Sequence, residues 1–209
     1  MADKDLTIQQ GKTFSLVIRW ETEPVVRKPI TAISLTTGAP RLSVPTHGMP
    51  DGWRCYATLV KGMTEINAKN NPPKNSDLQI GTVVDAGTVE FNAVNPINEN
   101  GREWAAYTSG GFLVYNTPVD LAGYTARMDI KDKVGGTVLA STDVLDAPKN
   151  VLTIAVDNVA KTITLSILAT DTDDFAWTKG VYDLEMVGPT GTVTSIMSGK
   201  VTVTKEVTT

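Results

Sequence analysis

Apolar residues in this chain recur at every second position, and that period constrains the fold before any other feature does. In "TFSLVIRW", Phe14, Leu16, Ile18 and Trp20 share one face. In "YTARMDIK", Tyr124, Ala126, Met128 and Ile130 oppose Thr125, Arg127, Asp129 and Lys131. The spacing returns in Leu152, Ile154 and Val156, in Ile163, Leu165 and Ile167, in Tyr182, Leu184 and Met186, and in Val201 and Val203. Each run fits a half-buried antiparallel strand with one face on a core and one in water. Turn formers separate the runs: "KVGGT", "DAPKN", "DNVAK", "GPTGT" and "SGK". Short strands at this spacing predict an all-β sandwich or barrel.

Helical spacing is nearly absent. "TDTDDFAW", Thr170 to Trp177, predicts one or two helical turns crossing between strands, with Thr170 or Thr172 as cap and Asp173 and Asp174 near the positive end. The aspartates read as capping or solvated groups, because "DTDD" lacks the glycine and distal glutamate of a calcium loop.

From about Pro29 to Thr117 the pattern changes to short strands among many turn formers, such as "TTGAP", "THGMPDG", "NAKNNPPKNSD" and "NPINENG". Strands are expected at Ile30 to Leu35, Trp53 to Val60, Thr82 to Val84, Thr88 to Phe91 and Phe112 to Tyr115. This predicts a loop-rich β-domain inserted into a regular sandwich. Pro29 and Pro118 mark the junctions, since proline disfavours continuing a central strand. The expected division is residues 1–28 and 118–209 for the sandwich and 29–117 for the insert.

The chain has 209 residues, enough for one large or two small cores. A net charge of −4 supplies no basic field for phosphates, so no nucleic-acid partner is expected. One cysteine excludes an intrachain disulfide. The polar start "MADKDLTIQQGK" lacks the apolar core of a signal peptide, and no run reaches membrane-spanning length. The expectation is a protein made soluble in the cytoplasm, with no membrane partner.

The sole histidine, His47, and the sole cysteine, Cys55, lie in "PTHGMPDGWRC". A nucleophilic thiol needs a base in reach, an orienting group and a lowered pKa. Cys55 instead falls in the apolar alternation Trp53, Cys55, Ala57, Leu59, where a thiol behaves as a small buried hydrophobe. His47 precedes Gly48 in a turn, where its ring bonds local backbone. One His and one Cys are too few for a structural zinc site. The stretch reads as a turn leading into a strand.

No phosphate loop, "GxSxG" or "HExxH" occurs. Asp183 and Glu185 share the solvent face of "YDLEM", and such pairs usually solubilise; a glycosidase pair needs an embracing cleft. Trp53, Trp104, Tyr107, Phe112 and Tyr115 crowd the insert and read as its aromatic core, the alternative being a sugar-stacking platform. No catalytic, cofactor-binding or metal residue is expected, and no enzyme.

The segment "ITAIS…TTGAPRLSVPTHGMPDGWRCYATLVKGMTEINAK…VVDAGTVEFNAVN…WAAYTSGGFLVY" resembles a small β-barrel module of tailed-bacteriophage structural proteins. That module is similar to the first catalytic-cysteine half-domain (FCCH) of ubiquitin-activating enzymes. Cys55 matches no nucleophile in it. The resemblance spans roughly Ile30 to Tyr115. It implies that His47-Gly48 and Asp51-Gly52 form a hairpin turn, and that Gly62-Met63 and Asn67 form the next. The flanks, above all "YDLEM…G.V…GKVTV", resemble the immunoglobulin-like domain of small phage virion proteins.

Together the resemblances imply an immunoglobulin-like β-sandwich split by an inserted FCCH-like barrel. They imply a non-enzymatic structural component of a tailed-phage particle, at the tail, neck or baseplate, located in the virion. Its partners would be other virion proteins and further copies of itself in a symmetric multi-copy complex. A host-surface glycan-binding module and a capsid decoration protein are the alternatives. The C-terminal run "GKVTVTKEVTT" is expected to be an edge or near-edge strand that either serves as a docking strip or only completes the sheet.

Overall fold

Period-two sequence becomes strand almost throughout the computed structural model, which describes residues 2–35, 38–97, 101, 103–146 and 149–206. In chain order the first strands are β1 (Ala2–Asp3), β2 (Leu6–Gln9) and β3 (Phe14–Ile18). There follow β4 (Glu21–Pro29), β5 (Ala32–Ser34), β6 (Arg41–Ser43), β7 (Trp53–Lys61), β8 (Gln79–Asp85), β9 (Thr88–Glu90) and β10 (Ser109–Pro118). The last are β11 (Thr125–Lys131), β12 (Val138–Ser141), β13 (Thr153–Asp157), β14 (Thr162–Ile167), β15 (Lys179–Val187) and β16 (Val193–Thr204). The fold is all-β. Parts of the expected turns at 36–37, 98–100 and 147–148, and the end of the C-terminal run at 207–209, lie outside the described residues.

The chain divides into two compact units, Met1–Trp20 with Asp120–Thr209, and Glu21–Val119. The first junction therefore falls after Trp20 rather than after Lys28, and the second after Val119 rather than Thr117. The reason is β4, which runs antiparallel to β10 from Glu21↔Pro118 to Pro29↔Phe112. Pro29 closes a strand instead of marking a domain border, and β4 tolerates its prolines because it lies at the end of its sheet.

The split unit holds two sheets. One runs β1-β16-β15-β11-β12, with β2 also on β16; the other runs β13-β14-β3. Met128 and Ile130, Leu184 and Met186, and Val201 and Val203 bury one face of the first sheet. Ile163, Leu165 and Ile167 bury one face of the second. Two devices hold the end where the chain leaves and returns. Trp20 meets Tyr124 edge-on at 5.7 Å. Lys161 Nζ reaches Asp120 at 3.0 Å and Asn158 Oδ1 at 2.6 Å, while Asn158 Oδ1 also accepts the Leu121 N–H at 2.7 Å.

Two expectations change here. β16 is not an edge: β15 pairs it on one side, while β1 and β2 pair it in parallel on the other. Its backbone is already used, so no docking by strand addition is open along the paired stretches. The helix covers Ala169–Asp173 with Leu168 as N-cap, so neither Thr170 nor Thr172 caps it. Thr172 lies buried inside it, its hydroxyl donating to Lys12 O and Ala169 O at 2.9 Å. Asp173 and Asp174 sit at the C-terminal end, away from the positive pole.

The inserted unit is one sheet of order β4-β10-β7-β8-β9-β6-β5 around a core of Leu42, Trp53, Cys55, Met63, Phe91 and Leu113. Its two terminal strands are consecutive in the chain, and among the described residues no strand pair joins them. The described pairing is thus an open path, not the closed barrel expected. Sequence reading also passed over β6, whose three residues offer too short an alternation.

Candidate interaction surfaces

Cys55 is 1% exposed, and burial pushes its thiol up to about 12, so no thiolate nucleophile exists near neutral pH. His47 is equally committed. Its Nδ1 accepts the Met49 N–H at 3.0 Å, which assigns the proton to Nε2, donated to Asp85 O at 2.9 Å. Tyr115 Oη donates to the His47 carbonyl. The ring bonds one local and one distant backbone group and clamps the 44–52 loop to the β8–β9 turn. That loop joins β6 to β7, which are not partners, so it is no hairpin. His47 and Cys55 make no bond to each other, and among the described residues no trio of His, Cys, Asp or Glu is placed to hold a metal.

The aromatic residues go mostly inward. Trp53 and Tyr115 are buried, and Trp104 and Tyr107 pack half-buried against the same core. Trp53 Nε1 donates to Asn116 O at 3.0 Å, which satisfies its polar end. Phe112 is the exception. It lies half-buried on the outer face of β4, β10 and β7, with the Arg27 guanidinium 5.0 Å above its ring. The register Arg27↔Val114↔Tyr56 places Tyr56 in the next position of the same face.

The last member of this face contradicts the alternation. Leu59 was expected to point inward with Trp53, Cys55 and Ala57, yet it is 63% exposed, and Val60 is buried instead. The pairs Thr58↔Phe112 and Val60↔Gly110 are kept, but the pair between them is lost. Leu59 adopts a left-handed φ of 58° and Gly111 one of 95°. The register on either side stays in step, so no residue is inserted, and the left-handed backbone at Leu59 reverses the inside–outside phase of the strand. A Cβ on Gly111 would sit 2.5 Å from Val60 Cγ2, so the glycine makes room for Val60. Asn67 then takes up the Val60 backbone, accepting its N–H at 2.8 Å and donating to its carbonyl at 3.0 Å. The resulting face carries the exposed Leu59 with Lys61 two residues on, and neither Lys61 nor Arg27 has a carboxylate partner among the described residues. Arg54, on the same face, is paired with Glu21.

The split unit has a different surface. On its six-stranded sheet a depression of about 360 Å³ is lined by Asp3, Asp5, Val134, Val181, Tyr182 and Lys200. It adjoins a second, of about 640 Å³, that extends over Arg127, Asp129 and Asp183. Charges there are largely spoken for. Arg127 Nε donates to Glu185 at 2.6 Å, Ser141 Oγ to Asp129 at 2.7 Å, and Ser195 Oγ to Asp183. Asp183 and Glu185 thus lie on the outer face as expected, each held by a neighbour. Tyr182 Oη donates to Lys4 O at 2.6 Å. Burial, and then the carboxylates of Asp5, Asp3 and Asp183, push its phenol up to about 12.

No protein-family model matches the chain, and no curated protein is significantly similar to it. Among the described residues no helix is long and apolar enough to cross a membrane.

Proposed function

We propose that this chain is a non-enzymatic structural component of a tailed-phage particle, at the tail, neck or baseplate, acting by assembly into a symmetric multi-copy complex. The observation that carries the assembly reading is Leu59. A large apolar side chain is exposed, in a left-handed conformation that disfavours it, at the end of a strand whose alternate residues Trp53, Cys55 and Ala57 are buried. The phage setting comes from the sequence resemblances of both the insert and its flanks. A glycan platform finds less support, because Trp53 and Tyr115 are buried and Arg27 covers a face of Phe112.

Immunogold labelling of tailed particles from the source cells tests this reading. Labels clustered at one fixed place on the particle are expected; label confined to the soluble lysate contradicts it.

A further inference from the structure

We infer that the Leu59 face of one copy docks into the acid-rimmed depression beside Tyr182 of a second copy. The inference rests on the assembly reading and names the contact that would drive it. One surface is a knob: Leu59 is 63% exposed, with the exposed cation Lys61 two residues along the same strand. The other is a recess of about 360 Å³, with Val134 and Val181 as apolar lining and Asp3 and Asp5 at its rim. Val134 is 92% exposed, a free apolar side chain at the margin of the recess. The charges match in sign. Asp3 makes no ion pair among the described residues, and only Lys200 opposes the two carboxylates within the lining.

Knob and recess are different surfaces, so the contact is head-to-tail. Such a contact closes into a ring or continues as a filament, the kind of symmetry a particle component needs. Apolar insertion supplies the affinity, and the flanking charges supply register and salt dependence.

The test is sedimentation velocity of the full chain over a range of concentrations, at low and high salt. Wild type should form higher species that weaken with salt. Leu59→Asp should raise the dissociation constant at least about tenfold. It should leave the melting temperature intact, because aspartate tolerates left-handed backbone. Lys61→Glu and Asp3→Lys should each weaken association, and the two combined should restore it. A wild-type chain that stays monomeric overturns the inference, as do unchanged association by Leu59→Asp and failed recovery in the double variant. These outcomes leave the virion reading standing. A chain that self-associates as described but is missing from particles contradicts the virion reading alone.

Discussion

The side-chain amide of Asn67 holds both backbone groups of Val60, accepting its N–H and donating to its carbonyl. It satisfies the Val60 backbone next to the left-handed residue Leu59. Asn67→Ala leaves two part-buried polar groups without partners and should cost about 1–3 kcal/mol. Asn67→Asp keeps the acceptor and loses the donor, so it should not rescue fully. Denaturant unfolding monitored by tryptophan fluorescence in the inserted unit checks both; wild-type stability in Asn67→Ala would show that the amide is dispensable.

Gly111 and Gly38 both have left-handed φ, at 95° and 83°, but only Gly111 meets an obstacle. A Cβ there would press on Val60, whereas nothing lies within 4 Å of one on Gly38. Gly38→Ala should therefore cost only the conformational penalty, about 1–2 kcal/mol. Gly111→Ala should cost clearly more and shift hydrogen exchange around Val60. Equal costs would mean that Gly111 is not packed against Val60 as described.

Cys55 makes the inserted unit sensitive to alkali. Its folded-state pKa, near 12, lies above the ordinary value of 9.0 because of burial. The native state keeps a proton that the unfolded chain releases, so stability is intact below pH 9 and falls as pH rises toward 12. The slope is at most about 1.4 kcal/mol per pH unit. Tyr115, also raised by burial, adds loss in the same direction above its ordinary value of 10.0. Urea midpoints at about pH 8 and about pH 10.5 should show a smaller decline for Cys55→Ala than for wild type. Cys55→Ser should stay folded at a cost of about 1–2 kcal/mol. Rapid thiol labelling of the native protein would contradict the burial.

The inserted unit should be removable. Glu21 and Pro118 are cross-strand partners, so the two ends of the insert already lie side by side. Replacing residues 21–119 with a short Gly/Ser linker between Trp20 and Asp120 should leave a chain that unfolds cooperatively by circular dichroism. Broad, non-cooperative melting would show that the split unit depends on its insert.

Local alternation made the strands of the split unit legible. The runs around Leu16, Met128, Leu165 and Leu184 all became strands with the predicted face inward, buried for the last three and half-buried for Leu16. Features set by distant partners were not legible. The parallel cover that β1 and β2 place on β16 depends on residues nearly the whole chain apart. β4 hid behind its prolines and charges, which suit a terminal strand but resemble a linker. Leu59 looked like a core residue because alternation carries no sign of a left-handed residue within a strand. Its signals were the glycine pair in "TSGG" and Asn67, and both lie far from Leu59 or on the other side of a turn. His47 was legible as a turn residue, while its bond to Asp85 was not.

Stoichiometry bears most directly on the central claim. Quantitative mass spectrometry of gradient-purified tailed particles, calibrated with labelled peptides of this chain, counts its copies per particle. The account predicts a fixed integer ratio to the neighbouring tail, neck or baseplate proteins, greater than one copy and constant between preparations. Absence from the particles, or a ratio that drifts from one preparation to the next, would contradict it.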